Sequence, residues 1–428
     1  LYTPGFFEVP IKRGESLIFS AGTSEAAPGG LKRMFTIETG KRTPRDSYLH
    51  CLENSAQQFI LEREGRVEVV AGFPWYAASA REALISLPGI LLSQGEEDMF
   101  HAVLESLVRE MDGPLFPSFV DAQSKHYNAV DAPLWFFWTL QQYLKMSEAG
   151  HAEVWKRYSI VMERILEGFA DGTRYNIRML ENGLLYAGEP DNALTWMNAR
   201  AEGQPITPRI GLPVEVNALW YNALMFFAEL ASTMGLADKA GHWEQLARRS
   251  ATSFIHQFWK EDKGYLADYV NGAYHDFSIR PNQVFAVSLP YSPLPEEMQK
   301  SVLDVVTRDL LTERGLRTLS PTNPAYKGHS HGSESERGLA YHNGTAYPWL
   351  MGAWSDAMLN IYGKGALSKL RKLFQGFEVT MMEAGIGTVS EVYDGDPPQE
   401  PGGAFSYAPS VGELLRMNWL LNNYSDKK

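Results

Sequence analysis

The run Val214-Glu215-Val216-Asn217-Ala218-Leu219-Trp220-Tyr221-Asn222-Ala223-Leu224-Met225-Phe226-Phe227-Ala228-Glu229-Leu230 repeats its apolar residues every three or four positions, and a second run with the same spacing begins a few residues later. Such spacing lines up apolar side chains along one face of a helix. The expected helices are 215–234 and 238–258. The link between them, 235–237, is so short that the two must lie antiparallel.

Working outward, the same periodicity recurs from residue 48 onward in about twelve stretches, with boundaries uncertain by ~2–4 residues. They span 48–62, 79–93, 96–110, 131–147, 151–170, 215–234, 238–258, 281–288, 295–309, 344–360, 363–383 and 410–422. Strand signals after residue 72 are scarce. The connections 94–95, 148–150, 235–237, 289–294 and 361–362 are short, whereas 112–130, 171–214, 259–280, 310–343 and 384–409 are long. If six helical hairpins close into a ring, all the long loops emerge at one end, and the fold is an all-α (α/α)6 toroid with a funnel-shaped mouth. A bundle or a solenoid is the alternative, although no fixed repeat period favours a solenoid.

Residues 6–20 read as two short strands around a turn. A lone hairpin is marginal in water, so residues 1–45 are expected to be the end of an N-terminal β-rich region and a linker, the rest of that β domain lying outside this chain. Residues 46–428 are expected to form the barrel. With 428 residues, 44% of them hydrophobic, the chain can bury a large core. Its net charge of −12 makes nucleic acid an unexpected partner. The single cysteine, Cys51, excludes an intramolecular disulfide and a Cys-rich zinc site. No apolar run approaches the ~20 residues needed to cross a bilayer. No secretory leader opens the chain, and any signal peptide would have been lost with the missing N-terminal residues; no membrane partner is expected, and the expected location is cytoplasmic.

The long loops are rich in aromatic and charged residues. Phe73-Pro74-Trp75-Tyr76, Trp196, Trp220-Tyr221, Tyr341-His342 and Tyr347-Pro348-Trp349 stand beside Arg81-Glu82, Asp131, Arg209, Glu215, Asn282 and Glu391. Aromatic faces stack on the C–H faces of sugar rings, while carboxylates, Arg and Asn bind vicinal hydroxyls. Carbohydrate is therefore the expected ligand. Glycoside hydrolysis requires two carboxyl groups flanking the bond, ~5–9.5 Å apart according to stereochemistry. Glu391, just before the last helix, is the candidate base.

These segments together resemble the glucosidase domain of glycogen debranching enzymes. The resemblance rests on Phe73-Pro74-Trp75-Tyr76, Ile85-Ser86-Leu87-Pro88-Gly89, Asp131-Ala132-Pro133-Leu134-Trp135-Phe136, Leu194-Thr195-Trp196-Met197, Thr207-Pro208-Arg209, Val214 to Tyr221, Arg280-Pro281-Asn282-Gln283, Gly315 to Leu319, Tyr341-His342-Asn343-Gly344 and Ser390-Glu391. It runs in order from about residue 48 to 422. It implies a barrel of the glucoamylase type, acting as an amylo-α-1,6-glucosidase that releases glucose from α-1,6-linked stubs of glycogen-like α-glucans with inversion. Glu391 takes the place of the base that activates water. Trp75, Arg81, Glu82, Asp131, Trp196, Arg209, Glu215, Trp220, Asn282 and His342 are the expected sugar-binding residues.

The family's general acid follows Trp196-Met197 and is normally Asp, but here it is Asn198. An amide has no proton to give at neutral pH, so hydrolysis is expected to be weak, and a catalytically silent glycan-binding homologue is the alternative. Three explanations are open: an engineered change, a substitute donor among Glu189, Asp191 and Glu202, or natural divergence. Divergence is favoured because two further motifs depart as well. The family's Trp-Gly-Arg-Asp is Ser79-Ala80-Arg81-Glu82, and its Gln-Ala-Trp-Ser is Tyr407-Ala408-Pro409-Ser410. His329 and His331 read as a solvated loop, with only Glu334 and Glu336 near them in sequence. No catalytic metal and no nucleotide or other cofactor is expected.

Overall fold

The computed structural model describes residues 5–22, 24–120 and 125–424. Fourteen α-helices occur among them. The first seven are α1 (Leu31–Gly40), α2 (Tyr48–Gln58), α3 (Ala80–Ile90), α4 (Glu97–Arg109), α5 (Ala132–Met146), α6 (His151–Asp171) and α7 (Val214–Thr233). The others are α8 (Ala237–Phe258), α9 (Phe285–Ser288), α10 (Glu296–Leu310), α11 (Glu334–Tyr341), α12 (Leu350–Tyr362), α13 (Leu367–Gly376) and α14 (Ala408–Asn423).

Six of these close a ring. α3 packs on α5, α5 on α7, α7 on α9, α9 on α12, α12 on α14, and α14 returns to α3. The members of this inner ring are apolar nearly all round, as in α5, where twelve consecutive residues from Ala132 to Tyr143 are buried. An outer layer of α2, α4, α6, α8, α10 and α13 carries one apolar stripe per helix. In α8 the stripe runs Ala240, Trp243, Leu246, Ala247, Ser250, Phe254 and Phe258, facing α7. The last closure, α3 against α14, is made at a glycine pair. A Cβ on Gly89 would collide with the backbone of Gly412, so only glycine permits that approach. The architecture is an (α/α)6 barrel, with inner and outer helices alternating along the chain.

Inner-to-outer links are short, as at 147–150 and 234–236, while every outer-to-inner connection is long. The N-terminal ends of the inner helices therefore all face the end where the long connections gather. Helix N-termini present free N–H groups and a partial positive charge. That end is thus already biased towards carboxylates and hydroxyl oxygens.

The structure departs from the sequence reading in several places. The stretch 48–62 is helical only to Gln58, and Ile60–Arg63 instead pairs antiparallel with the strand Arg66–Phe73. Strands after residue 72 are numerous rather than scarce. They are two or three residues long and lie on the long connections, too short for alternation to register. The stretch 344–360 contributes a strand, Ala346–Tyr347, before α12 begins at Leu350, and 363–383 divides into a 3-10 turn, α13 and a second 3-10 turn. α11 is new, and Ser333 and Glu336 close a capping box at its start.

At the N-terminal end, residues 6–20 form no strand. A turn links Glu15 N to Lys12 O at 3.0 Å, and the rings of Phe7 and Phe19 meet at 5.7 Å, but no ladder is built. The region expected to be β-rich instead contains a helix, α1.

Candidate active site

The long connections enclose a cavity of about 440 Å³ at the open end of the barrel, within the ~300–1,000 Å³ usual for small-molecule sites. Its wall includes Tyr76, Arg81, Glu82, Trp196, Asn198, Arg200, Glu334, Arg337, Tyr341, His342, Tyr347, Glu391 and Tyr407. Segments more than three hundred positions apart in sequence therefore share one space. Six expected residues are on that wall: Glu391, Asn198, Arg81, Glu82, Trp196 and His342.

Glu391 is 3% exposed and fully engaged. Tyr76 Oη donates to its Oε1 at 3.1 Å, Tyr341 Oη donates to the same oxygen, and Ala404 N donates to Oε2 at 2.8 Å. Gly403, at φ 67°, brings the backbone against the carboxylate, and a Cβ there would collide with it. Burial pushes the Glu391 carboxyl up to about 8, opposed by the Ala404 and Tyr76 hydrogen bonds and assisted by the nearby charge of Glu82. A carboxylate acts as a base only when ionised, so with Glu391 as the base kcat/KM should rise with pH to a half-maximum near 8; a profile already flat from pH 5 to 9 would exclude Glu391 from that role. The effect on stability has the opposite sign. The folded state holds its proton more tightly than the unfolded chain, so this group's contribution is lost as pH rises from about 4.5 through about 8.

Arg81 and Glu82 open α3. Arg81 Nε and Nη2 donate to Asp131 Oδ1 at 2.9 and 2.7 Å, and Nη2 also donates to Leu194 O at 3.3 Å. Asp131, wholly buried at the start of α5, therefore does not reach the cavity. Its carboxylate fixes Arg81 and, through Leu194, the segment that carries Trp196.

Arg209, Glu215 and Asn282 likewise lie beneath the wall and not on it. Arg209 holds a left-handed backbone, φ 45°, which turns its guanidinium inward. There it donates to Glu215 Oε2 at 2.6 Å, Asp268 Oδ2 at 2.7 Å and Thr195 Oγ1 at 3.2 Å. Burial pushes the Glu215 carboxyl up, and Arg209 opposes that. Breaking one partner of such a buried pair costs ~3–5 kcal/mol. Asn282 Nδ2 donates to Asp268 Oδ1 at 2.7 Å, while its Oδ1 accepts from Trp196 Nε1 at 2.7 Å. The chain Glu215–Arg209–Asp268–Asn282 thus ends by orienting the Trp196 indole. Edge contacts with Tyr347 at 5.3 Å and Trp349 at 5.2 Å hold that ring from the side.

Trp220 is a correction. It is fully buried, donates from Nε1 to Gly183 O at 3.1 Å and packs on Phe169, so it belongs to the core and not to the cavity wall. Its position on the outward flank of α7, not its residue type, decides this. Trp75 is 53% exposed at the rim, tied by Nε1 to Gly403 O at 3.3 Å. Glu189, Asp191 and Glu202 are not on the cavity wall; the carboxylates that are, besides Glu391, are Glu82 and Glu334.

His342 is buried, and burial together with Arg280 and Arg209 depresses its pKa, so the ring is neutral. Its Nε2 has no partner among the described residues. The sequence reading passed over Tyr341 and Tyr76 as site residues, although both sit in the quoted motifs. It missed Asp268 entirely, because that residue follows a two-residue strand with no motif around it.

A buried carboxylate, an indole held edge-on by its aromatic neighbours and a neutral imidazole thus surround one cavity. The sequence pattern of the amylo-alpha-1,6-glucosidase family matches residues 54–416. The chain belongs to that family. Within it, the chain is 24% identical over 404 residues to the glycogen debranching enzyme of Saccharomyces cerevisiae, an alignment covering 71% of this chain and 26% of that protein. The chain therefore spans about a quarter of the length of that curated relative. In three dimensions this amylo-alpha-1,6-glucosidase family member resembles the GH63 mannosylglycerate hydrolase of Thermus thermophilus. The TM-score is 0.61 at 12% identity, over 87% of this chain and all of the other, which establishes the shared barrel. No helix among the described residues is long and apolar enough to cross a membrane.

Proposed function

We propose that this chain hydrolyses α-1,6-linked glucose stubs of glycogen-like α-glucans with inversion at the anomeric carbon. The observation that carries this reading is that Glu391 and Asn198, brought from connections almost two hundred positions apart, line one cavity. In this reading Glu391 takes a proton from the attacking water, with Tyr76 and Tyr341 holding the carboxylate in place. Arg81 and Glu82 bind glucose hydroxyls, the free His342 Nε2 meets another, and Trp196 shapes the sugar's apolar face. The side chain at position 198 faces the glycosidic oxygen. The walls exclude water, which strengthens these hydrogen bonds and fixes the ring for attack. The acidic chain acts on neutral glucan, in the cytoplasm, without nucleic acid or membrane as partner.

The test is product analysis on two oligosaccharides, one bearing a single α-1,6 glucose stub and one linear and α-1,4-linked. Free glucose appearing first as the β-anomer by proton NMR, from the stub only, is the expected result. The α-anomer first, or cleavage of the linear chain alone, would overturn the proposal. Asn198 itself favours a second reading, a glycan-binding protein that keeps the pocket without a proton donor. Saturable binding of the stub with no glucose released is its signature.

A further inference from the structure

Beside the cavity, the segment 327–333 meets the hairpin that carries Glu391. Asp394, 3% exposed, lies three residues after Glu391, where that hairpin turns away. Its Oδ1 accepts from Ser330 N at 2.8 Å. Its Oδ2 receives both His329 Nδ1 and His331 Nε2, each at 2.9 Å. The two imidazoles stack with ring centroids 5.9 Å apart and planes at 20°. Glu400 Oε2, from the returning arm of the hairpin, stands 3.7 Å from His331 Nε2. The solvated loop read from sequence is therefore incomplete, because the carboxylates that face these histidines come from a segment more than sixty positions away.

We propose that His329, His331 and Asp394, with Glu400 as fourth donor, form a binding site for one zinc-class divalent cation. The His329, His331 and Asp394 donor atoms already lie within 4.8 Å of one another. A tetrahedral zinc with bonds of ~2.0–2.2 Å places its ligand atoms about 3.3 Å apart. The 2.9 Å separations between each imidazole nitrogen and Asp394 Oδ2 need only a few tenths of an ångström of opening, and the two nitrogens, within 4.8 Å of each other, meet one ion by turning about the exposed His329 and His331 side chains. Two imidazoles select a borderline metal over calcium or magnesium, which prefer all-oxygen shells. Ser330 N on the second Asp394 oxygen fixes the carboxylate's orientation, the part an outer-shell partner plays at metal sites.

The site's position gives it a consequence. His331 lies three residues before α11, the helix that supplies Glu334, Arg337 and Tyr341 to the cavity wall. Asp394 and Glu400 lie on the hairpin that holds Glu391 and, through Ala404, its hydrogen bond. A bound cation would staple these two walls together without touching the sugar.

The experiment uses the full chain, treated with chelator and then titrated with Zn²⁺ alone by calorimetry, followed by amide hydrogen exchange with and without Zn²⁺. One-to-one binding is expected, weakened about 100-fold or more by H329A/H331A and unchanged by the control H242A/H256A, two exposed histidines on the outer helix α8. Exchange across 327–341 should slow on adding Zn²⁺ to the wild type and not to H329A/H331A. Absence of binding, binding indifferent to H329A/H331A, or binding that leaves exchange at 327–341 unaltered would each overturn the assignment. None of these readouts depends on glucan hydrolysis, so the assignment stands or falls apart from the proposed activity.

Discussion

Replacing Asn198 with Asp raises kcat on an α-1,6 glucose stub by about 10²–10⁴-fold, the usual contribution of a positioned general acid. Departure of a sugar alkoxide without protonation is slow, and the amide cannot supply the proton. Asn198 is exposed on the cavity wall, so the swap removes no core contact and leaves no buried group unpaired. Folding should be unaffected, with a melting temperature within a degree or two of the parent. The gain should appear mainly in kcat, since Asp and Asn bind the ground-state oxygen about equally. A new descending limb should also enter the kcat profile on its alkaline side, reporting loss of the acid's proton. If N198D gains less than about threefold, position 198 does not face the leaving oxygen, or Glu82 or Glu334 on the same wall already donates.

Glu391→Gln should abolish whatever hydrolysis the protein has, by about 10²–10⁴-fold in kcat, because an amide cannot take water's proton. The change is nearly isosteric. The amide oxygen can accept from Ala404 N, and the Tyr76 and Tyr341 hydroxyls can rotate to accept from the new NH₂, so the surrounding contacts survive. KM should therefore change little. Thermal stability measured at pH 9 should not fall, since the variant no longer buries an ionised carboxylate there. Retained activity in E391Q would transfer the base role to Glu82, the other buried-side carboxylate near it. Made in the N198D background, where the starting rate is high, the loss is easiest to measure.

The helices were legible because their signal is local. The stretches 131–147, 151–170, 215–234 and 238–258 agree with α5 to α8 within a residue or two, since a 15-residue window of spaced apolar residues is enough to define a buried face. Failures occurred where local signal is thin. α11 has eight residues and one buried side chain, and the strands Ala346–Tyr347 and Val392–Tyr393 are two residues each, held by partners distant in sequence. Residues 6–20 show the reverse error, where strand-like composition did not become a strand because no partner strand lies beside it among the described residues.

Sequence alone determined the alternation of long and short links, hence the ring with one functional end, and it determined that position 198 lacks an acid. Both follow from residue identity and order. Only the tertiary structure decided which aromatic or charged residues face the cavity. Asp131, Arg209, Glu215 and Asn282 were drawn into a buried network below it, Trp220 into the core, and Tyr76 and Tyr341 onto the Glu391 carboxylate. A helix turns by about 100° per residue, so one position along an inner helix separates the sugar-facing wall from the packed interior. Which of the two a side chain meets depends on the neighbouring helices, whose contact surfaces are written hundreds of residues away.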